Sequence, residues 1–142
     1  MVERRKFITG TVTAVTIAIS GCTGSSNNGL SEEEIAEKIA QDVESEGFQI
    51  DLWEFDESNN WLGLDYFSQA NSEQELRNEM ATIGSIYSSY VEDSSAERLH
   101  LFGIQNDSIE YDYHIERGWA LQFSDDEIDS TEFLGLIEDT LR

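Results

Sequence analysis

Residues 99–115 read LHLFGIQNDSIEYDYHI, and this stretch decides the fold class. Apolar and polar side chains alternate along residues 109–115, which is typical of a β-strand with one buried face. A second apolar run, residues 99–104, precedes it, and the polar residues Asn106–Ser108 separate the two runs. The stretch therefore predicts an antiparallel hairpin joined by a three-residue turn.

Another hairpin is predicted earlier in the chain. The apolar runs Phe48–Phe55 and Trp61–Phe67 flank the five polar residues Asp56–Asn60, which we expect to form the turn. After the fourth strand, the alternation continues through residues 119–123 and predicts a short fifth strand.

Three other segments carry the apolar period of an amphipathic helix. Each begins with the capping-box pattern, in which a Ser is followed three residues later by a Glu. The patterns are Ser31-x-x-Glu34, Ser72-x-x-Glu75 and Ser124-x-x-Glu127, with Asp129-x-x-Glu132 as a competing start for the third helix.

The predicted fold is α+β, with one antiparallel sheet of four to five strands and three helices mainly on one face. The elements follow the order α-β-β-α-β-β-(β)-α. A helix followed by a hairpin occurs twice in this order, so an internal duplication is an open hypothesis.

The chain is strongly acidic. Its 142 residues include 30 Asp and Glu but only 8 Lys and Arg, and the formal net charge is −22. Such a surface repels nucleic acid and anionic lipid, so we expect no nucleic-acid partner. Two interpretations remain open. In the first, the acidity is that of a protein adapted to high salt, such as a halophilic archaeon's, because salt of about 1 M shortens the Debye length to about 3 Å and screens the repulsion between the acidic residues. In the second, the acidic surface complements a basic partner.

The first residues have the pattern of an export signal. The pair Arg4 and Arg5 precedes Ile8–Ile19, a segment of 12 residues without charge. A helix of that length spans about 18 Å, which is too short for a bilayer core of about 30 Å. The segment therefore predicts a signal peptide and not a membrane span.

The end of this segment, Ile19-Ser20-Gly21-Cys22, resembles a lipobox. Together with Arg4 and Arg5 it resembles the signals of twin-arginine-exported lipoproteins, a class abundant in haloarchaea. The resemblance covers residues 1–22 and implies export, a covalent lipid on Cys22, and anchoring to the outer face of the cell membrane. The alternative is an uncleaved anchor with an incidental cysteine.

The predicted organisation has three parts. Residues 1–21 form the signal peptide, residues 22–30 the lipidated Cys22 and a flexible polar tether, and residues 31–142 a single acidic domain. Cys22 is the only cysteine, so the chain forms no intramolecular disulfide. The sequence does not indicate an oligomeric state.

Two histidines form the pattern closest to a metal site. The three-residue turn of the second hairpin places His100 opposite His114 on the face away from the core, with Asp112 and Glu116 beside His114. Two imidazoles and a carboxylate suit Zn²⁺ or a similar metal. The alternative is a pair of solvated or ordinarily hydrogen-bonded histidines, and we expect no cofactor besides the lipid.

The first hairpin is predicted to be apolar on both faces. A five-residue turn places Phe55 opposite Trp61 and Trp53 opposite Gly63, so that one face holds Trp53, Phe55, Trp61 and Phe67. Either other elements cover this face, or it is an exposed patch that binds a glycan, a peptide or a partner domain.

The sequence lacks the common catalytic motifs, among them the Gly-rich phosphate loop, G-x-S-x-G, H-E-x-x-H and C-x-x-C. We therefore expect a non-enzymatic binding or accessory domain that contacts another envelope protein or peptide through its sheet face or first hairpin. The alternative is a metal- or small-ligand-binding domain that uses His100 and His114. A small hydrolase is the third hypothesis.

Overall fold

The structure is a computed structural model that describes residues 30–142. The predicted signal peptide, lipobox and most of the tether lie outside these residues. None of the described helices is both long enough and apolar enough to cross a membrane. The elements are α1 (Glu32–Ser45), β1 (Gln49–Asp56), β2 (Trp61–Phe67), α2 (Glu73–Tyr90) with a 3₁₀ turn (Val91–Asp93), β3 (Arg98–Gln105), β4 (Ser108–Glu116), α3 (Arg117–Ser124) and α4 (Ser130–Glu138).

The four strands form one mixed sheet in the order β1-β2-β3-β4. The two hairpins are antiparallel, whereas the central strands β2 and β3 are parallel. The chain leaves β2, returns through α2 and enters β3 in the same direction, which is the usual crossover for adjacent parallel strands. The predicted α+β class and the order of helices and hairpins are confirmed, but the sheet is not purely antiparallel.

The region after β4 differs from the prediction. Residues 119–123 belong to α3 and not to a fifth strand. An alternation of five residues also places Trp119 and Phe123 one helical turn apart, so a pattern this short does not separate helix from strand. The last helix uses the competing start, because the Asp129 side chain accepts a hydrogen bond from the N–H of Glu132 at 2.8 Å.

The other two predicted helix starts are confirmed. Ser31 and Glu34 form both hydrogen bonds of a capping box, 3.1 Å and 2.9 Å long. At α2, Ser72 accepts from the N–H of Glu75 at 3.2 Å, but the Glu75 carboxylate instead accepts from the N–H of Asn71. Both arrangements satisfy N–H groups that have no partner inside the helix.

The core lies between the helices and one face of the sheet. Every buried apolar residue of the helices belongs to a single cluster with one face of β1 to β4. Its largest fully buried members are Tyr66, Tyr87, Tyr113, Ile35, Ile39, Leu62, Leu64, Met80, Ile83, Leu99, Leu101 and Ile115. The predicted arrangement of helices on one face is therefore confirmed.

Both hairpins have tighter turns than predicted, and each contains a bulge. Asp56 pairs with Trp61, which leaves four residues in the first turn, and Asp51 has no cross-strand partner. The second turn is the pair Asn106 and Asp107, whose φ angles of 53° and 66° suit a tight hairpin turn. Glu110 is the unpaired residue of that hairpin.

The end of the chain lies along the outer edge of β4. The Thr140 hydroxyl accepts from the N–H of His114 at 3.0 Å, and its proton is shared between the carbonyl oxygens of Ile137 at 2.8 Å and His114 at 3.3 Å. The N–H of Arg142 donates to the carbonyl oxygen of Asp112 at 2.9 Å. These bonds satisfy backbone groups that an edge strand otherwise exposes.

Candidate functional site

The face of the sheet opposite the core carries the candidate site and is called the open face below. No residue of this face belongs to the core cluster, although most are half-buried against one another. Residues that pair across strands share a face, so the register defines the set. The open face consists of Gln49, Leu52, Glu54, Asp56, Trp61, Gly63, Asp65, Phe67, Arg98, His100, Phe102, Ile104, Ile109, Asp112, His114 and Glu116.

Aromatic rings form a continuous row across this face. The His100 ring lies between those of Trp61 and Phe102, with both centroid distances at 4.9 Å. Gly63 is the direct β2 neighbour of His100, and the Glu54 side chain lies over it, with Cγ 3.2 Å from the position that a Cβ would take. The row continues from His100 to His114, whose ring stacks on Trp119 of α3.

Each imidazole is hydrogen-bonded to its own carboxylate. Nε2 of His100 lies 2.8 Å from Oδ1 of Asp112, and Nε2 of His114 lies 3.1 Å from Oε2 of Glu116. An ionised carboxylate only accepts, so each Nε2 carries the proton. The predicted pairing of His100 with His114 and their position away from the core are confirmed.

The histidines and their carboxylates are not grouped around a common point in the structure. Within residues 30–142, no group of three or more His, Cys, Asp or Glu side chains has the geometry to hold a metal ion. Each Nε2 carries a proton that it donates to a carboxylate, so neither Nε2 has a free lone pair for a metal ion. The arrangement instead fixes the orientation of both rings.

Arg98 places a positive charge in the same cluster. Its guanidinium lies 5.0 Å from the centroid of the Trp61 ring and 3.0 Å from Oε2 of Glu116. Partial burial and the nearby charge of Arg98 lower the pKa of His114, and Glu116 opposes this shift. His114 is therefore predominantly neutral near pH 7.

The predicted aromatic patch of the first hairpin is wrong in its composition. Phe55 pairs with Leu62 and Trp53 with Leu64, so both rings lie on the core face and pack against the core. Trp61 and Phe67 lie on the open face. The four-residue turn shifts residues 52–56 by one position relative to β2, which moves their side chains to the opposite face, and the bulge at Asp51 restores the predicted register beyond it.

Sequence reasoning missed a buried carboxylate, Glu79 of α2, which is only 5% exposed. Its Oε1 accepts from the hydroxyls of Ser68 at 2.8 Å and Tyr66 at 3.3 Å, and its Oε2 accepts from the N–H of Gln69 at 2.8 Å. The signal was present, because Glu79 lies on the apolar stripe of its helix, three residues after Leu76.

The Glu79 network extends into the core and to an open pocket. The Tyr66 and Tyr113 hydroxyls are 2.8 Å apart, and burial raises the pKa of both phenols. Glu79 also borders a pocket of about 400 Å³ between the ends of α1 and α2. Ser68 is hydrogen-bonded to a carboxylate here, while both histidines bond to carboxylates on the other side of the sheet. The bonds of Glu79 therefore tie the end of β2 to α2.

The fold and the open face define a small α+β domain with a helix-covered core and an aromatic surface. The chain belongs to the family described as a domain of unknown function, DUF8159, whose family model matches residues 29–142. No curated protein and no solved structure matches the chain. The family description names no activity, so a proposal of function rests on the open face and on the N-terminal sequence.

Proposed function

We propose that this chain is a lipoprotein anchored to the outer face of the cell membrane, and that its domain is a non-enzymatic binding module. The module contacts another envelope protein or a peptide through the open face. The observation that carries the proposal is the row of aromatic rings from Trp61 to Phe102, which lies outside the core.

The composition of the open face supports a binding role. Aromatic residues and arginine are enriched in the centres of protein interfaces, where a few of them supply most of the binding energy. The rings of Trp61, His100 and Phe102 are already held by stacking, and the imidazoles by their carboxylates. A partner would therefore meet a surface that needs little reorganisation.

The N-terminal sequence supports the location. Arg4, Arg5 and the lipobox that ends at Cys22 resemble the signal of an exported lipoprotein. The polar residues 23–29, TGSSNNG, allow the domain to stand about 20 Å from the lipid at full extension. The partner of such a domain lies within that distance of the membrane.

Site-specific crosslinking tests the binding face. A photoreactive phenylalanine analogue replaces Phe102 on the open face in one variant and Gln41, an exposed residue of α1, in the other. Both variants are irradiated on intact cells in their growth salt. We expect the Phe102 position to yield one dominant protein adduct and the Gln41 position to yield none, because only the first lies in the proposed interface.

A second substitution links the adduct to the aromatic row. Trp61→Ala in the Phe102 variant should remove most of the adduct while the domain remains folded by circular dichroism. Adducts of equal yield at both positions, or adducts with lipid alone, would contradict the binding role of the open face.

A further inference from the structure

The open face already contains one arginine bound in the way that protein interfaces bind arginine. The guanidinium of Arg98 lies over the Trp61 ring at 5.0 Å and pairs with Glu116 at 3.0 Å. All three residues are cross-strand neighbours, with Arg98 opposite Trp61 on one side and Glu116 on the other. A guanidinium is suited to this arrangement because it is planar, stacks on rings and forms directed bonds to carboxylates.

The same face holds a second aromatic and carboxylate pair. Phe102 and Asp112 are directly opposite each other on β3 and β4, two pairs along from Arg98 and Glu116 on that face. The Asp112 side chain is 38% exposed, and its Oδ1 is bonded to His100. Arg98 is the only Lys or Arg in the four described strands, so no strand residue supplies a cation to this second pair.

Charge favours a basic occupant. After the first 21 residues, 29 acidic residues face only five Lys and Arg, which leaves a net charge of −24. The strands add Glu54, Asp56, Asp65, Asp112 and Glu116 to the open face itself. An anionic partner would be repelled, and a basic one would be attracted over a distance that shortens as salt increases.

We propose that the open face recognises an arginine-bearing, positively charged segment of a protein partner, with a guanidinium over Phe102 and paired with Asp112. This inference rests on the proposed function, since it names the chemistry of the partner at the same face. A single exposed contact of this kind is weak, so several arginines on one segment are required for stable binding.

Calorimetry with synthetic peptides tests the inference on the folded domain. The probes are a peptide with four arginines separated by glycines, its lysine counterpart, and a neutral counterpart with citrulline. We expect the arginine peptide to bind about fivefold more tightly than the lysine peptide, because only the guanidinium stacks and forms paired bonds. The preference should persist at about 1 M salt, where diffuse attraction is screened.

Three variants assign the effect to the site. Phe102→Leu and Asp112→Asn should each remove the preference for arginine over lysine, and both must give the unfolding curve of a folded domain. Glu37→Gln at a half-buried position of α1 removes one negative charge elsewhere and should leave the preference unchanged. If Phe102→Leu unfolds the domain, Asp112→Asn alone decides the test.

The outcomes separate this inference from the proposed function. Equal binding of the arginine and lysine peptides, or an equal loss in the Glu37→Gln variant, would mean that only diffuse charge is sensed and would overturn the inference. Tighter binding of the neutral peptide would also overturn it. In either case a specific adduct at position 102 would still support the binding face.

Discussion

His100 and His114 lie directly opposite each other on adjacent antiparallel strands, with ring centroids 5.9 Å apart, yet each donates to a different carboxylate. The two carboxylates lie on opposite sides of His114 along β4, because Asp112 precedes it by two residues and Glu116 follows it by two. Two imidazoles and two carboxylates therefore share one surface without converging on a common centre. A proton added to either ring places a positive charge beside the other imidazole.

The lowered pKa of His114 predicts that the domain loses stability in mild acid. The unfolded chain binds the proton at its ordinary pKa of about 6.5, whereas the folded chain binds it only at lower pH. The contribution of His114 to the free energy of unfolding is therefore constant above about pH 6.5. It decreases as the pH falls below that value and through the lower pKa of His114 in the folded chain. Urea unfolding at pH 8.0 and pH 5.0 in the same salt measures this change.

The variant His114→Gln provides the control for this prediction. The carboxylates titrate in both proteins, so the difference between wild type and variant isolates His114. We expect the wild type to lose more free energy of unfolding between pH 8.0 and 5.0 than the variant does. An equal loss in both proteins would show that His114 titrates alike in the folded and unfolded chains.

The buried Glu79 is predicted to stabilise the junction of β2 and α2. In Glu79→Leu, the Ser68 hydroxyl and the Gln69 N–H lose their acceptor, which costs about 1–3 kcal/mol for each donor that stays unpaired. Glu79→Gln keeps one acceptor oxygen and should cost less. Denaturant unfolding measures both.

Asn78→Leu is the matched control for the Glu79 variants, because it adds the same side chain to an exposed position of α2. It should change the free energy of unfolding by no more than about 0.5 kcal/mol. A cost for Asn78→Leu similar to that for Glu79→Leu would contradict the role of the buried network.

Gly84 is predicted to set the distance between α2 and α4. A Cβ at this position would lie 3.1 Å from a ring carbon of Phe133 and 3.3 Å from Cδ1 of Ile137. Gly84→Val should therefore destabilise the domain by about 1–3 kcal/mol through overpacking. Gly135→Ala, in α4 with no neighbouring atom within 4 Å, should instead stabilise it by about 0.5–1 kcal/mol. Thermal unfolding measures both variants. A midpoint temperature shifted in the same direction in Gly84→Val and in Gly135→Ala would contradict this prediction.

Cys22 is predicted to hold the protein on the membrane. In Cys22→Ser the lipid has no attachment site, and we expect the protein to move from the membrane pellet to the supernatant after washing in growth salt. Ser25→Ala, in the tether, should leave the protein in the pellet. Membrane retention of the Cys22→Ser protein equal to that of the wild type would refute lipid anchoring.

The two hairpins show how far alternation predicts a register. Both turns are one residue shorter than predicted, and both strands contain a bulge that restores the predicted register beyond it. In the second hairpin the bulge at Glu110 lies next to the turn, so His100 and His114 pair as predicted. In the first hairpin the bulge at Asp51 lies far from the turn, so Trp53 and Phe55 are on the unexpected face. Alternation predicts which side chains share a face only within a stretch that contains no bulge. No sequence pattern indicated that Asp51 forms one.

The central strand pairing was not accessible to local patterns. Trp61 of β2 pairs with Arg98 of β3 across 37 positions of sequence, and the direction of that pairing depends on the path of α2. Composition and periodicity describe segments one at a time, so they predicted two hairpins and a helix but not their order in the sheet. The Arg98 and Trp61 contact, a main feature of the open face, follows from that pairing.

The bonds of the chain end to β4 bear on how copies of this domain coexist at high local concentration, as on the surface to which the proposed function assigns them. An unprotected edge strand invites another copy to add to the sheet, and repeated addition produces fibrils. Thr140 and Arg142 occupy hydrogen-bonding groups of the β4 edge, while the β1 edge carries the bulge and the charge of Asp51. Both edges thus disfavour the addition of a second copy to the sheet, which leaves the open face, rather than the edge strands, to make specific contacts.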